Sequence, residues 1–494
     1  MRLVLSTLLF FLTYTLSAQK MPTTDYTNRW NRIDSLINNS GLYESALKEV
    51  KLLYNKAKTE KQAGEQIKAL LYQIQLQEVL VEESDSAALH LLRTEISSEK
   101  GVSRALLNTL LADYYKKQYD RNRWAIYSRT PLADGVSDDV QSWTAPDYHR
   151  AITAAYRAAL LEPALQNKDA RTPYEAIIKK GENATYRPSI YELVLQKALG
   201  YFKADPVELP QQADDSFWQN PSWWKNHTDF LRLRISLPDS TEPGLISLKL
   251  YQELIRYYTE AGKQEQLATT DLKRYEYLKT KAEGASADSL YLAALASIQK
   301  SYPGTEAADH ALYLSAYWQL TENEDPRKAL AIANALVAQN KTTAGALLAY
   351  NLIQDIKAAS LSIQTERVNI PGEPFRALVS WKNLDKIYLR LVQLDPGKHG
   401  PLLDQSRYFD SANYALLMGS TVLKSWEQTL PAQQDFKEHS TEIKIEGLPI
   451  GSYFLLASDH ASFSMDKSNL GLVKIQVSNI SYISAEKDYF VLHR

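Results

Sequence analysis

The residues able to do chemistry in this 494-residue chain are few and scattered. There is no cysteine, which removes thiol nucleophiles, thiolate zinc sites and disulfides together. The eight histidines form no His-Glu-x-x-His pair, and the chain has neither a Gly-x-Ser-x-Gly elbow nor a Walker loop. Asp309-His310 puts a carboxylate beside an imidazole on one predicted helix, where adjacent side chains point about 100 degrees apart and cannot share a metal. Asp138-Asp139 and Asp214-Asp215 lack the alternating oxygen ligands and glycine of a calcium loop and read as solvated acids. The pattern predicts a non-enzymatic protein with no catalytic set, no cofactor and no metal site.

The densest aromatic cluster is Phe217-Trp218, Pro221 and Trp223-Trp224, close to His227. Indole faces on a loop stack on sugars or peptides, which makes Trp218, Trp223 and Trp224 candidate partner-binding residues. The same residues turned inward are anchors that pin an irregular segment onto helices. Both roles are open at the level of sequence.

Composition bounds the elements that must hold these residues. With 45% apolar and 23% charged residues the chain buries a sizeable core, and its length implies about three domains. A net charge of -2 and a pI near 6.5 give no electrostatic reason to expect nucleic acid or an anionic membrane as partner. The 31 tyrosines recur at helical spacing, as expected of amphipathic packing with hydroxyls reaching the surface.

Residues 1–18 read as a secretory signal peptide. Arg2 is the positive n-region, Leu3 to Leu16 is an apolar stretch too short to span a bilayer, and Ser17-Ala18 precedes the cut at Gln19. Leu16 is larger than the residue usually found three positions before such a cut. The expectation is an exported protein, periplasmic or envelope-associated, without membrane insertion after cleavage. With no cysteine at the cut there is no lipid anchor there.

From about Tyr26 to Gln364 the dominant period is helical. Leu248, Tyr251, Leu254, Ile255 and Tyr258 follow i, i+3, i+4, i+7 spacing, and Ala261-Gly262 ends that helix before another from Glu265 to Ala282. Tyr302-Pro303-Gly304-Thr305 caps a further helix, and Pro326 opens its partner. Further helices are expected at Leu42 to Lys58, Gln62 to Glu83, Ser86 to Glu95, Ser103 to Tyr119 and Asp147 to Leu161, with Pro173 to Lys180 pairing the last. Such hairpins resemble tetratricopeptide-type repeats, each leaving an apolar face for a stacked neighbour. The period is irregular, interrupted at Arg121 to Tyr148 and Asp205 to Glu242.

After Glu366 the period changes to two. Phe375 to Trp381, Lys386 to Leu394, Thr441 to Glu446, Gly451 to Ser458, Leu472 to Ser478 and Asp488 to Leu492 are strand-length and bounded by turn residues. Ile443 and Ile445 alternate with charged neighbours, as do Val473, Ile475 and Val477 with polar ones. A run of strands over about 110 residues without intervening helices predicts an immunoglobulin-like antiparallel β-sandwich. The expected organisation is a signal peptide at 1–18, a helical-repeat-like domain at 19–365, a β-sandwich at 366–481, and the opening of a following domain at 482–494.

The sandwich region resembles the early macroglobulin-type domain of bacterial alpha-2-macroglobulin proteins. The resemblance rests on Val368-Asn369-Ile370-Pro371-Gly372-Glu373-Pro374, Leu378 to Leu384, Ile387-Tyr388-Leu389-Arg390-Leu391, Leu448 to Ser458 and Val477 to Ile483. It covers about a quarter of the chain directly, and helical extensions behind signal peptides occur in the same family. The resemblance implies the N-terminal part of an endopeptidase inhibitor that traps proteases when a bait segment is cut. It also implies that proteases are engaged through a longer parent protein, since a chain without cysteine cannot form the family's thioester and no bait segment is recognisable here. The alternative expectation is an envelope helical-repeat adaptor that binds a partner protein or glycan.

Overall fold

The computed structural model describes residues 23–81, 85–130, 139–166, 172–178, 189–204, 215–235, 242–339, 342–366, 368–400, 410–431, 434–485 and 488–493. The predicted signal peptide lies outside them. Helices come first and sheets follow, in two compact units, Met1–Ala287 and Asp288–Arg494.

In the first unit, α1 (Thr23–Asn38), α2 (Tyr43–Thr59) and α3 (Ala63–Leu80) share a core of Trp30, Ile33, Val50, Leu53 and Leu76. Ala46, Val50, Leu53 and Ala57 lie four, three and four residues apart and so form one buried stripe of α2. Helix α1 is fastened at every fourth residue. Tyr26 Oη donates to Glu60 at 2.6 Å, Trp30 Nε1 donates to Glu65 at 2.6 Å, and Asp34 accepts from Tyr72 Oη at 3.0 Å.

Next come α4 (Asp85–Ser98), α5 (Gly101–Tyr127), α6 (Ala145–Leu160) and α7 (Ile190–Lys203). A capping box starts α7: Ser189 N donates to Glu192 Oε2 at 3.0 Å while Glu192 N donates to Ser189 Oγ at 3.2 Å. Of the predicted partner of α6, only a 3-10 turn, Thr172–Ile177, is described. Two short helices, α8 (Asp215–Trp218) and α9 (His227–Leu231), lie between α7 and the hairpin of α10 (Pro243–Glu260) and α11 (Gln264–Lys281).

Helix α12 (Gly284–Ser301) runs across the division of the chain into its two units. The second unit continues with α13 (Glu306–Thr321), α14 (Pro326–Val337) and α15 (Ala344–Lys357), packed around Ala316, Ala333, Leu336, Ala349 and Ile353. A two-sheet β-sandwich follows. The first sheet has order β1 (Ser360–Thr365), β3 (Phe375–Lys382), β6 (His439–Ile445). The second has order β2 (Val368–Asn369), β8 (Leu470–Val477), β7 (Gly451–Ser458), β4 (Lys386–Leu394), β5 (Val422–Thr429). Val379, Trp381 and Ile443 of the first sheet meet Leu389, Tyr453, Leu455 and Ile475 of the second. Beyond them β9 (Ile480–Ala485) and β10 (Asp488–His493) pair as an antiparallel hairpin.

Several features differ from the sequence-based expectation. Strand β1 precedes Glu366 and already pairs with β3, because no Gly or Pro marks the passage from α15 into the sheet. Strand β5 escapes a period-two reading because, at the edge of its sheet, most of its residues are exposed whichever way they point. The β2–β8 pairing is parallel, and a helix does intervene: α16 (Ser411–Met418) covers the outer face of the second sheet. There Tyr414, Leu417 and Phe463 pack on Val392, Leu394, Phe454 and Leu456.

Helices α14 and α15 are tied to the sandwich by hydrogen bonds. Asn383, at φ 57° in the turn after β3, donates through Nδ2 to the carbonyls of Ile356 (2.8 Å) and Ala358 (3.0 Å), satisfying the end of α15. Arg327 donates to Gln434 O at 3.1 Å, and Phe436 joins the helical core.

Candidate functional site

The segment 215–235 carries the three candidate tryptophans, and its local sequence fixes its turns. Asn220 caps the 3-10 turn Pro221–Trp224 through Ser222 N, and Asn226 caps α9 through Asp229 N. Trp218, Trp223 and Trp224 are 3%, 9% and 5% exposed. The Trp223 indole donates to Phe217 O at 2.9 Å and that of Trp224 to Trp218 O at 3.0 Å. The structure therefore brings the three together, buried and with the indole N–H groups of Trp223 and Trp224 satisfied inside the segment, the arrangement of anchors rather than of an open stacking platform.

What holds the segment is Arg274 of α11, fully buried with its guanidinium carbon 4.1 Å from the ring centre of Phe230 and 4.2 Å from that of Tyr275. Its guanidinium donates to Trp223 O, to Lys225 O at 2.7 Å and to Asp271 Oδ1 at 2.6 Å. Tyr275 Oη adds a bond to Lys225 O at 2.9 Å. The signal was visible in the chain: Asp271 and Arg274 stand among Leu267, Tyr275 and Leu278 on the buried side of α11, where an exposed pair would not be placed.

A serine and a histidine do meet in the second unit. His399 Nε2 is 2.8 Å from Ser420 Oγ. Asp395 N lies 2.8 Å from His399 Nδ1 and Asp395 O lies 3.1 Å from it; the shorter contact comes from an N–H that can only donate, which favours Nδ1 as acceptor and the ring hydrogen on Nε2. Nε2 then donates to Ser420, whose own hydroxyl donates to Leu416 O at 2.9 Å. An imidazole in that tautomer does not take the serine proton, and in this arrangement the pair braces a loop.

The remaining candidates are placed as follows. Asp309 is buried and accepts from Thr343 Oγ1 at 3.0 Å, while His310 lies 5.7 Å from the ring of Tyr313. Asp139 caps a 3-10 turn through Gln141 N, and Asp215 opens α8. Asp138 and Asp214 lie outside the described residues. Among the described residues no group of three His, Asp or Glu side chains is placed to hold a metal ion, and no helix is long and apolar enough to cross a membrane.

No family model and no curated protein matches the chain. Among solved structures, the CARDB domain of the PF1109 protein from Pyrococcus furiosus, crystallised in complex with di-metal ions, is similar over 24% of this chain and 88% of its own. The identity is 12% and the TM-score 0.15, a likeness too slight to carry an argument.

Two aromatic residues stand out by exposure instead of burial. Trp124 and Tyr127, in the last turn of α5, are 90% and 73% exposed. Sequence reasoning missed them because the helix was expected to end at Tyr119, leaving them in an interrupting segment.

Proposed function

We propose that the chain is the non-catalytic N-terminal region of an exported alpha-2-macroglobulin-like endopeptidase inhibitor, acting in the periplasm or cell envelope. The observation behind this reading is how the residues of the resemblance are used. Val368 to Pro374 supplies β2 and the turn into β3, and Gly372 N donates to Leu448 O at 2.9 Å, joining the first quoted phrase to the fourth. Pro449 O receives the Tyr453 hydroxyl at 2.9 Å, and Tyr453 and Leu455 then enter the sandwich core from β7. In this reading the helices are a scaffold or docking surface, the sandwich starts a macroglobulin series, and proteases are engaged by a longer protein.

The test is to express the complete reading frame and incubate it with a panel of endopeptidases. The expected result is loss of protease activity on large protein substrates with small-peptide hydrolysis retained. A complete product that leaves every protease active on both substrate sizes overturns the reading.

A second reading, an envelope adaptor for a partner protein or glycan, is favoured by Trp124 and Tyr127, since exposed aromatic rings on an ordered helix are the usual anchors of an interface. A W124A/Y127A variant with an unchanged melting point that loses a partner cross-linked by the wild type supports it. Equal cross-linking by the two proteins counts against it.

A further inference from the structure

Arg390 lies midway along β4, on the face of the second sheet that α16 and the 459–469 segment cover. Its guanidinium sits 4.3 Å over the ring of Phe463, and Nη1 is 3.7 Å from Met418 Sδ, a weak acceptor. Its Nε is buried and has no hydrogen-bond partner. Among the described residues no carboxylate comes within ion-pair distance of it, whereas the exposed Arg104 has Glu162 at 2.6 Å and the buried Arg274 has Asp271 at 2.6 Å.

The register explains the missing partner. Opposite Arg390 stand Ser425 on β5 and Leu456 on β7, neither of them acidic. Two residues along, opposite Tyr388, is Glu427, and Lys386 holds its carboxylate at 3.1 Å. A guanidinium stays charged at any pH at which the protein folds. Arg390 is half-buried, and burying its Nε donor without an acceptor is costly, a cost the Phe463 ring offsets only in part. The fold itself does not require a cation here, because Val392, Leu394, Phe454 and Leu456 of the same cluster are all apolar.

We propose that Arg390 anchors a binding site for a ligand carboxylate, with the apolar body of the ligand lying against the half-buried Tyr388 and Met418. A planar guanidinium presents paired donors matched to a carboxylate. A singly charged group also neutralises the single cation, whereas a phosphate dianion would leave excess negative charge among apolar side chains. This site is independent of the inhibitor reading, since it concerns only the sandwich's own outer face.

The experiment uses the full chain with arginine side chains labelled in 15N, butyrate as the probe, and butyramide as its neutral counterpart. The expected result is a saturable shift of the Arg390 Nε–H resonance with butyrate and none with butyramide, and, with binding read by isothermal titration calorimetry, loss of the butyrate response in Arg390→Met. Should that variant not fold, Arg390→Gln replaces it, and the comparison of the two probes on the wild type stands without either. Equal shifts with both probes, no saturable shift with butyrate, or a response that survives in the variant overturns the proposal. A larger saturable shift with inorganic phosphate than with butyrate overturns the choice of a singly charged ligand.

Discussion

Lys61 and Gly262 occupy the same place in two helical hairpins. Each follows the first helix of its pair in a left-handed conformation, at φ 55° and 65°. The next residue's amide then reaches back five residues, Gln62 N to Ala57 O at 2.9 Å and Lys263 N to Tyr258 O at 3.0 Å. Glycine takes that conformation freely and lysine does not. Gly262→Ala is therefore expected to cost about 1 kcal/mol, and Lys61→Gly to gain a few tenths, the strain relieved being partly cancelled by glycine's greater unfolded freedom. Urea unfolding of both variants checks the opposite signs.

Tyr54 and Glu95 account for part of the unusual tyrosine content. The Tyr54 hydroxyl donates to Glu95 Oε2 at 2.6 Å, joining α2 to α4, and Gln66 Nε2 of α3 reaches Glu95 Oε1 at 2.5 Å. Glu95 is 4% exposed, so losing a donor leaves a carboxylate short of solvation. Tyr54→Phe is expected to cost about 1–2 kcal/mol, a typical value for a partly buried bond to a charged acceptor. It should appear as a lower urea midpoint at an unchanged slope.

Alkali should unfold the protein through the same hydroxyls. Burial, then the hydrogen bond to Asp34, pushes Tyr72 up to about 12, and burial, then the charge of Glu253, pushes Tyr191 up to about 12. Tyr54 and Tyr156 are raised too, chiefly by burial. Folded values above the ordinary 10.0 mean that this contribution is whole below pH 10.0 and is lost as pH rises through about 12. Tyrosinate absorbance and circular dichroism should change together in that window, and Tyr72→Phe should move the transition to higher pH. Tyrosinate appearing near pH 10.0 with the circular dichroism intact counts against this account.

The legible parts of the chain were those where one local period decides the structure. Leu248 to Tyr258 and Gly451 to Ser458 announce a buried helical stripe and a core strand, and both form as read. Long-range pairing was not legible. Nothing local in Ser360–Thr365 says that it will pair with β3, and Val422–Thr429 hides its strand because edge exposure erases alternation. The tryptophan cluster was found as a cluster, but the choice between anchor and platform was set by Arg274, about fifty residues away in sequence, and by the carbonyls it reaches.

Arg274→Met tests that choice. The variant keeps the stem's volume but takes the donors from Trp223 O and Lys225 O and the cation from Asp271, which is 1% exposed. Breaking a buried ion pair in this way costs about 3–5 kcal/mol. The expected outcome is a markedly lower melting temperature, with the fluorescence of Trp218, Trp223 and Trp224 shifting to the red as the segment loosens. An unchanged melting point would mean that the tryptophans are held without Arg274.

Gly345 stands where α15 meets the backbone of α13. A Cβ built on it would stand 2.6 Å from both Asp309 C and His310 N, backbone atoms of α13 with no rotamer to give way. The neighbouring bond from Thr343 Oγ1 to Asp309 Oδ2, at 3.0 Å, holds the start of α15 against α13. Gly345→Ala must therefore push α15 off α13, and overpacking of this kind costs about 1–3 kcal/mol. Ala344 is in the same helical turn, and Ala344→Gly changes helix propensity without adding a contact, at about 1 kcal/mol or less in a first turn. The expected order in a urea titration is wild type, Ala344→Gly, then Gly345→Ala as the least stable. If Gly345→Ala matched the wild type, α13 and α15 would not be in backbone contact.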